Sequence, residues 1–286
     1  MNFYIPKTQK ELADALGKKD ENTYLCAGGT DLVIHLRNQK KFHYSLIDLT
    51  HVEELKKIEE TEEEIWIGSG VTMTGLEKSL VIQNYMPGLA KAASMVGSTQ
   101  IRNRATIGGN IANASQSSDT MPVLFAYGTE AVVLNELGEE KRYLLEELIE
   151  GLERNRLKEK EMLTRFIVKK DSSISGFSKV GSRKAVTISK INGCVKTVLK
   201  EDILTQVIVY LGAVGAKATR AGYIEQALEG QKLEEVDFRS LKEAVYAQIE
   251  ANIPNRSSKH YKKSAAFGVL DTILEELKTQ VREVKA

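Results

Sequence analysis

Eighteen consecutive residues, Arg102 to Asp119, read RNRATIGGNIANASQSSD. They hold two adjacent glycines, three asparagines and a tail of small hydroxyl side chains, with almost nothing that fills a core. A chain that carries such a run in mid-domain must fold it against something other than apolar side chains. Loops this long without structure of their own are usually functional, so the stretch from Asn110 to Ser118 is expected to line a ligand. The other reading of Thr106-Ile107-Gly108-Gly109-Asn110 is a glycine-rich surface turn.

The same device occurs earlier, in Gly28-Gly29-Thr30-Asp31-Leu32, between a strand-like TYLCAG and a helix-like TDLVIHLRNQ. Paired glycines let the backbone turn tightly and bring amides close to a ligand. A helix start adds unpaired N–H donors and the positive end of a dipole. The plain alternative is a strand-to-helix turn with Thr30 or Asp31 as cap. Two such pairs together suit a ligand with two phosphates. A pyrophosphate held by backbone amides needs no arginine, which agrees with a formal net charge of +1. Asp119 precedes TMPVLFAYG; it either caps that helix or accepts from ribose hydroxyls or an adenine amine.

GSGVTMTG, from Gly68, opens as G-x-G but has Met73 where a dinucleotide fingerprint needs a small residue for helix packing. It reads as a strand end with Thr72 capping a helix. No nucleophile elbow, HExxH or cysteine–histidine cluster is present, and His35, His43, His51 and His260 have no mutual metal spacing. The chain thus reads as a binder of a bulky diphosphate cofactor that does the chemistry itself.

Charge near balance gives no field for nucleic acid or anionic membrane. Cys26 and Cys194 are too few for a disulfide framework or a cysteine metal cage. No apolar run is long enough to span a membrane, and MNFYIPKTQKELADALG lacks the pattern of a signal peptide. A cytoplasmic chain is expected. Thr8 and Glu11 form a capping box ahead of a first helix. Short strands and helices alternate to EMLTRFIVKK. Longer strands of an antiparallel sheet then follow, and three helices, as in an α+β module with helices on one side of a sheet. Serine and glycine collect at residues 169–176, which places a boundary between domains 1–172 and 173–286.

These ordered segments resemble the flavoprotein subunit of the molybdenum hydroxylases, the group that includes the FAD domain of xanthine dehydrogenase and the medium subunits of carbon monoxide dehydrogenases. LCAGGTDL is similar to the family's first FAD loop, ATIGGNIANASQSSD to its second, GSGVTMTGLE to the segment between them, and FSKVGSRKAVTISKING to the start of its C-terminal domain. The resemblance implies an α+β fold: a two-lobed FAD-binding domain of the vanillyl-alcohol oxidase (PCMH) type, then a smaller C-terminal α+β domain. It assigns FAD contacts to Leu25, Cys26, Ala27, Gly28, Gly29, Thr30, Asp31 and Leu32. It assigns others to Val96, where animal members carry an aromatic residue, and to Thr106, Ile107, Gly108, Gly109, Asn110, Asp119, Leu163 and Lys179.

With no histidine in GGTD, and His35 beyond it, FAD is expected to be non-covalent. Two cysteines cannot build the extra iron–sulfur cluster of one related subunit. The resemblance further implies a molybdopterin-binding large subunit and a [2Fe–2S] small subunit as partners, in a heterohexamer. Electrons would pass from the iron–sulfur clusters through FAD to NAD, in a xanthine dehydrogenase-like enzyme. Arg183 and Lys184 stand where animal xanthine dehydrogenase has adjacent acidic residues, which bears on the acceptor. A stand-alone FAD oxidoreductase of the same fold and a non-catalytic FAD-binding or maturation factor are the alternatives.

Overall fold

The computed structural model describes residues 2–183 and 185–285. The N-terminal lobe carries strands β1 (Phe3–Tyr4), β2 (Thr23–Cys26) and β3 (Ser45–Asp48), all parallel in the order β1-β3-β2. Parallel neighbours need crossovers, supplied between β1 and β2 by the helix Gln9–Gly17 and between β2 and β3 by Leu32–Asn38. Thr8 caps the first helix, its hydroxyl accepting from the Glu11 amide at 3.2 Å, while the Glu11 carboxylate reaches one residue past the expected box and accepts from the Lys7 amide at 2.7 Å. Leu12, Leu16 and Ile47 bury the lobe against Leu134 and Met162 of the second lobe.

The second lobe is built on β4 (Ile58–Glu60), β5 (Glu64–Gly68), β6 (Glu130–Leu134) and β7 (Glu140–Leu144), then a hairpin of β8 (Ile149–Gly151) and β9 (Arg154–Asn155), and β10 (Met162–Lys169). The sheet runs β4-β5-β10-β6-β7, antiparallel throughout. All of the small-residue sequence lies in one long insertion between β5 and β6. There it folds as short helices, including Met73–Lys78, Pro87–Ser94, Thr99–Arg102, Ile107–Ala112 and Met121–Ala126. The stretch expected to be loop from Asn110 onward is therefore helical as far as Ala112. Its N-cap, Thr106, accepts from the Gly109 amide at 3.1 Å, and a good cap starts a helix even in glycine-poor-packing sequence.

The third sheet, β11 (Ile174–Gly181), β12 (Ser189–Lys200), β13 (Ile203–Gly212) and β14 (Thr219–Arg220), is an antiparallel meander in chain order. Its alternation separates two faces. Ile191, Val195, Val209 and Leu211 pack under the helices Phe238–Asn252 and Lys259–Lys285. Phe177, Cys194 and Tyr210 instead join the core of the second lobe. The helices sit on one side as expected, and the second lobe occupies the other.

A buried polar seam fixes that join. The Ser175 hydroxyl accepts from the Gly88 amide at 3.0 Å and meets the Tyr127 hydroxyl at 2.9 Å. Ser175→Ala strands the Gly88 amide, while the Tyr127 hydroxyl keeps its bond to the Tyr85 carbonyl at 2.9 Å; a buried amide without an acceptor costs ~1–3 kcal/mol. The expected result is a lower urea midpoint by that amount; an unchanged midpoint removes the seam as a source of stability.

Candidate functional site

β2 ends at Cys26, and the chain turns at once through Ala27 to Leu32. The backbone N–H groups of Ala27, Gly28, Gly29, Thr30, Asp31 and Leu32 have no acceptor within the chain among the described residues. Gly29 has φ +71°, a left-handed conformation that suits glycine. A left-handed residue in a turn gathers successive amides into an anion-binding concavity. Neither Thr30 nor Asp31 caps the following helix: Asp31 holds the cap position without a side-chain bond, and Thr30 makes none among the described residues. The strand-to-helix turn is present with Asp31 at the cap position, but no side chain there bonds the free amides. Burial, and then the Asp48 carboxylate, push the Cys26 thiol up, with Arg104 opposing; a protonated thiol is no nucleophile.

The second loop is different. Its amides are already used: Ile107 donates to the Val71 carbonyl at 2.9 Å, Gly108 to the Ser69 carbonyl at 2.8 Å, and Gly109 to Thr106. Ser69 and Val71 belong to GSGVTMTG, which was set aside as a Rossmann signal. That segment is the strut on which the second loop hangs, and Thr72 does cap its helix, accepting from Gly75 at 3.0 Å. The Ser69 amide in turn donates to the Thr164 carbonyl at 2.8 Å, in β10. Leu163, beside it, is buried in the core of the sheet.

The glycines of each pair divide the work. A Cβ on Gly28 would stand 2.0 Å from the Arg104 carbonyl oxygen, and one on Gly108 would stand 2.6 Å from Ser69 Cβ. Both are glycine because backbone passes close to protein. Gly29 and Gly109 have no such contact under 3.0 Å, and Gly109 is exposed. Gly28 therefore lays the first loop directly on the second, and the Arg104 side chain donates back to the Gly28 carbonyl at 3.4 Å. Sequence reasoning missed Arg104; the paired arginines of RNRAT were its only signal.

Asp119 does not cap the helix that follows it, where Thr120 holds the cap position. Its carboxylate pairs with Lys179 at 2.6 Å and accepts from the Ser189 hydroxyl at 2.6 Å and Asn192 Nδ2 at 2.8 Å. Asp119 and Lys179 side chains are only 8% and 6% exposed. Lys179 also donates to the carbonyl of Met95, next to the half-buried Val96, at 2.8 Å. Two residues that the resemblance assigned to FAD thus bind each other across the domain join. Ser189 and Asn192 carried no recognisable motif. Arg183 turns its guanidinium onto the carbonyls of Ala185 and Val186 in its own loop; Lys184 lies outside the described residues. No helix among the described residues is long and apolar enough to cross a membrane.

Two family models match this chain. One, described as the FAD binding domain in molybdopterin dehydrogenase, matches residues 1–169, and one described as the CO dehydrogenase flavoprotein C-terminal domain matches residues 177–277. The nicotinate dehydrogenase FAD-subunit of Eubacterium barkeri is 31% identical over 98% of this chain and 96% of its own length. The xanthine dehydrogenase FAD-binding subunit of Escherichia coli O157:H7 is 27% identical over 88% of each chain. In structure, carbon monoxide dehydrogenase from Hydrogenophaga pseudoflava superposes with a TM-score of 0.84 at 24% identity, over 96% of both chains. Quinoline 2-oxidoreductase from Pseudomonas putida 86 superposes with a TM-score of 0.87 at 20% identity; these likenesses carry the fold. The chain belongs to the FAD-binding family of the molybdopterin dehydrogenases. It is an oxidoreductase flavoprotein subunit of the molybdenum hydroxylase type, with a two-lobed FAD-binding domain and a C-terminal α+β domain.

Proposed function

We propose that this chain carries non-covalent FAD in a xanthine dehydrogenase-like hydroxylase of N-heterocycles, taking electrons from the [2Fe–2S] clusters of a small subunit and delivering them to NAD. A molybdopterin-binding large subunit completes the complex, as a heterohexamer in the cytoplasm. The N-heterocycle reading draws on the two relatives named for nicotinate and xanthine. The observation that carries the flavin reading is the row of six free amides from Ala27 to Leu32, which Gly28 packs against Arg104 and Ala105, just ahead of the helix Ile107–Ala112. Free N–H groups in a row, with no cation among them, match a diphosphate better than any protein partner. The domain limits 1–172 and 173–286 belong to the same proposal.

When bound, FAD supplies the chemistry, since a flavin accepts electrons singly and gives up a hydride. The protein's share is to bind and orient. The first loop contributes its amides, with the Thr30 and Asp31 side chains beside them. The second contributes the Asn110 carboxamide. Leu25, Cys26 and Leu163 hold the strand ends from which these loops spring.

Purified protein is expected to be yellow, with one flavin per chain released by acid or heat. Protein that is colourless and takes up no FAD on reconstitution would sink the flavin reading; flavin that stays with acid-precipitated protein would sink the non-covalent part. Co-purification with metal analysis and NAD reduction tests the partners and the acceptor.

A further inference from the structure

The parallel sheet of the N-terminal lobe has one thinly covered face. All-parallel sheets occur almost only with both faces covered. Here Tyr4, Leu25 and Ile47 point to the face on which Leu12 and Leu16 pack. Strand residues alternate between faces, so Phe3, Tyr24 and Leu46, which pair side by side, point to the other. Right-handed crossovers out from β1 to β2 and back from β2 to β3 put their helices on opposite faces. The second face therefore has only the helix Leu32–Asn38 over it, seven residues long with Leu36 alone buried. Lys41, just past that helix, donates to the Tyr24 hydroxyl. Phe3 is 59% exposed, Val33 54%, Ile34 57% and Phe42 75%. Large apolar side chains gathered on one small lobe mark a contact surface.

The charge of this surface has one sign. From Leu32 to Tyr44 the chain carries Arg37, Lys40 and Lys41 and no carboxylate. Elsewhere Arg102, Arg142 and Arg165 each pair with a glutamate, but Arg37 and Lys40 have no acidic partner among the described residues. An apolar centre with an unpaired cationic rim complements a protein surface whose apolar centre is rimmed by carboxylates. A membrane surface would call for a longer amphipathic helix. The helix also starts where the six free amides end, at Leu32, so whatever covers it lies against the cofactor site. Electrons pass between cofactors only when these lie close together, and in the proposed complex the chain that hands them to the flavin is the [2Fe–2S] subunit. We infer that the face around Val33, Ile34 and Phe42 seats that subunit through an apolar patch rimmed by its carboxylates. This rests on the proposed function.

The test uses the assembled complex, with iron, molybdenum and flavin measured on the purified protein. Ile34→Asp with Phe42→Asp puts two unpaired carboxylates into the contact, facing charge of their own sign. The iron-to-flavin ratio is expected to fall about tenfold or more. Flavin and the melting temperature of the chain are retained, because both positions are exposed and outside the glycine loops. Arg37→Glu with Lys40→Glu is expected to slow binding of the iron–sulfur subunit about 10-fold at low salt, a difference that high salt removes. Full iron in the double aspartate variant overturns the inference.

Should the aspartate variant fail to fold, p-benzoylphenylalanine in place of Val33 reads the same contact without added charge. On irradiation of the complex it is expected to crosslink to the iron–sulfur subunit. A crosslink to the molybdopterin-binding subunit instead, or none, overturns the inference. So does sedimentation of the complex with phosphatidylglycerol vesicles that Ile34→Asp abolishes, since the face would then be open to lipid. A wild-type complex without iron overturns both the inference and the proposed partners, whereas iron present with no crosslink from position 33 overturns the inference alone.

Discussion

Gly109→Asp is expected to give a folded protein that holds no flavin. Gly109 is exposed, and a Cβ there meets only the Thr106 hydroxyl, at 3.1 Å. It is the third residue of the helix Ile107–Ala112 and is not among the glycines with positive φ. A carboxylate in a first helical turn stabilises by about 0.3–1 kcal/mol, so the fold gains if anything. The same carboxylate faces an anion if the diphosphate lies here. One charge pair 4–8 Å apart, at an effective dielectric constant of about 20, repels by about 2–4 kcal/mol, and a diphosphate carries more than one charge. Affinity should fall by about 30- to 1,000-fold with the melting temperature of the flavin-free protein equal to or above that of the wild type. Gly109→Asn, of equal size without the charge, should retain most of the flavin. Full FAD occupancy in Gly109→Asp would show that the second loop is not where the diphosphate sits.

That experiment turns on a distinction the sequence does not display. Both glycine pairs look alike as letters, and both were read as amide cradles. The first leaves its N–H groups free from Ala27 to Leu32 among the described residues. In the second, the amides of Ile107, Gly108 and Gly109 are consumed by Val71, Ser69 and Thr106. Whether a backbone donor is free depends on which segment folds back against it. GSGVTMTG lies more than thirty residues upstream of Gly108, and nothing in its composition announces an acceptor strand for the TIGG turn. The helix at Ile107–Ala112 was hidden for a related reason. Glycine and asparagine are poor helix formers, but the Thr106 cap and the anchoring of its first turn outweigh propensity.

Local signals served well where the decisive contacts are local. The Thr8 and Thr72 caps, the helix after Pro87 and the strand EAVVL follow from neighbours within four residues. The alternation of β12, with Cys194 on one face and Val195 on the other, marks a sheet buried on both sides, although only its helical cover was foreseen. Asp119 is the clearest limit. Cap or cofactor contact were the two roles its sequence position offered, and its partners Lys179, Ser189 and Asn192 come from sixty to seventy-three residues further on. A long-range ion pair of this kind leaves no periodicity to read.

Gly28→Ala should be the most damaging single methyl in the two glycine pairs. The added Cβ would lie 2.0 Å from the Arg104 carbonyl oxygen, 2.6 Å from its carbon and 3.1 Å from Ala105 Cα. All three are backbone atoms, so no rotamer change relieves the overlap. Nor is the second loop free to retreat, because the Ala105 carbonyl holds the Met73 amide at 2.9 Å and the Ala105 amide is held by Ile101 at 2.7 Å. The first loop must therefore withdraw, at a cost of about 3 kcal/mol, the upper end of overpacking penalties. That corresponds to about 6–12 °C in Tm for a chain of this size class. FAD affinity should fall with it, because the free amides of one loop no longer sit against Arg104 and Ala105 of the other. Gly29→Ala provides the internal standard. Its φ of +71° makes alanine cost about 1–2 kcal/mol, but its nearest neighbours, Val33 Cγ2 at 3.5 Å and Cys26 Sγ at 3.7 Å, leave room. The expected order of damage is Gly28→Ala, then Gly29→Ala, then a near-neutral Gly109→Ala, read by melting and by FAD titration together. Equal losses at Gly28 and Gly29 would mean that the turn's conformation, and not the contact between the two loops, is what makes the site.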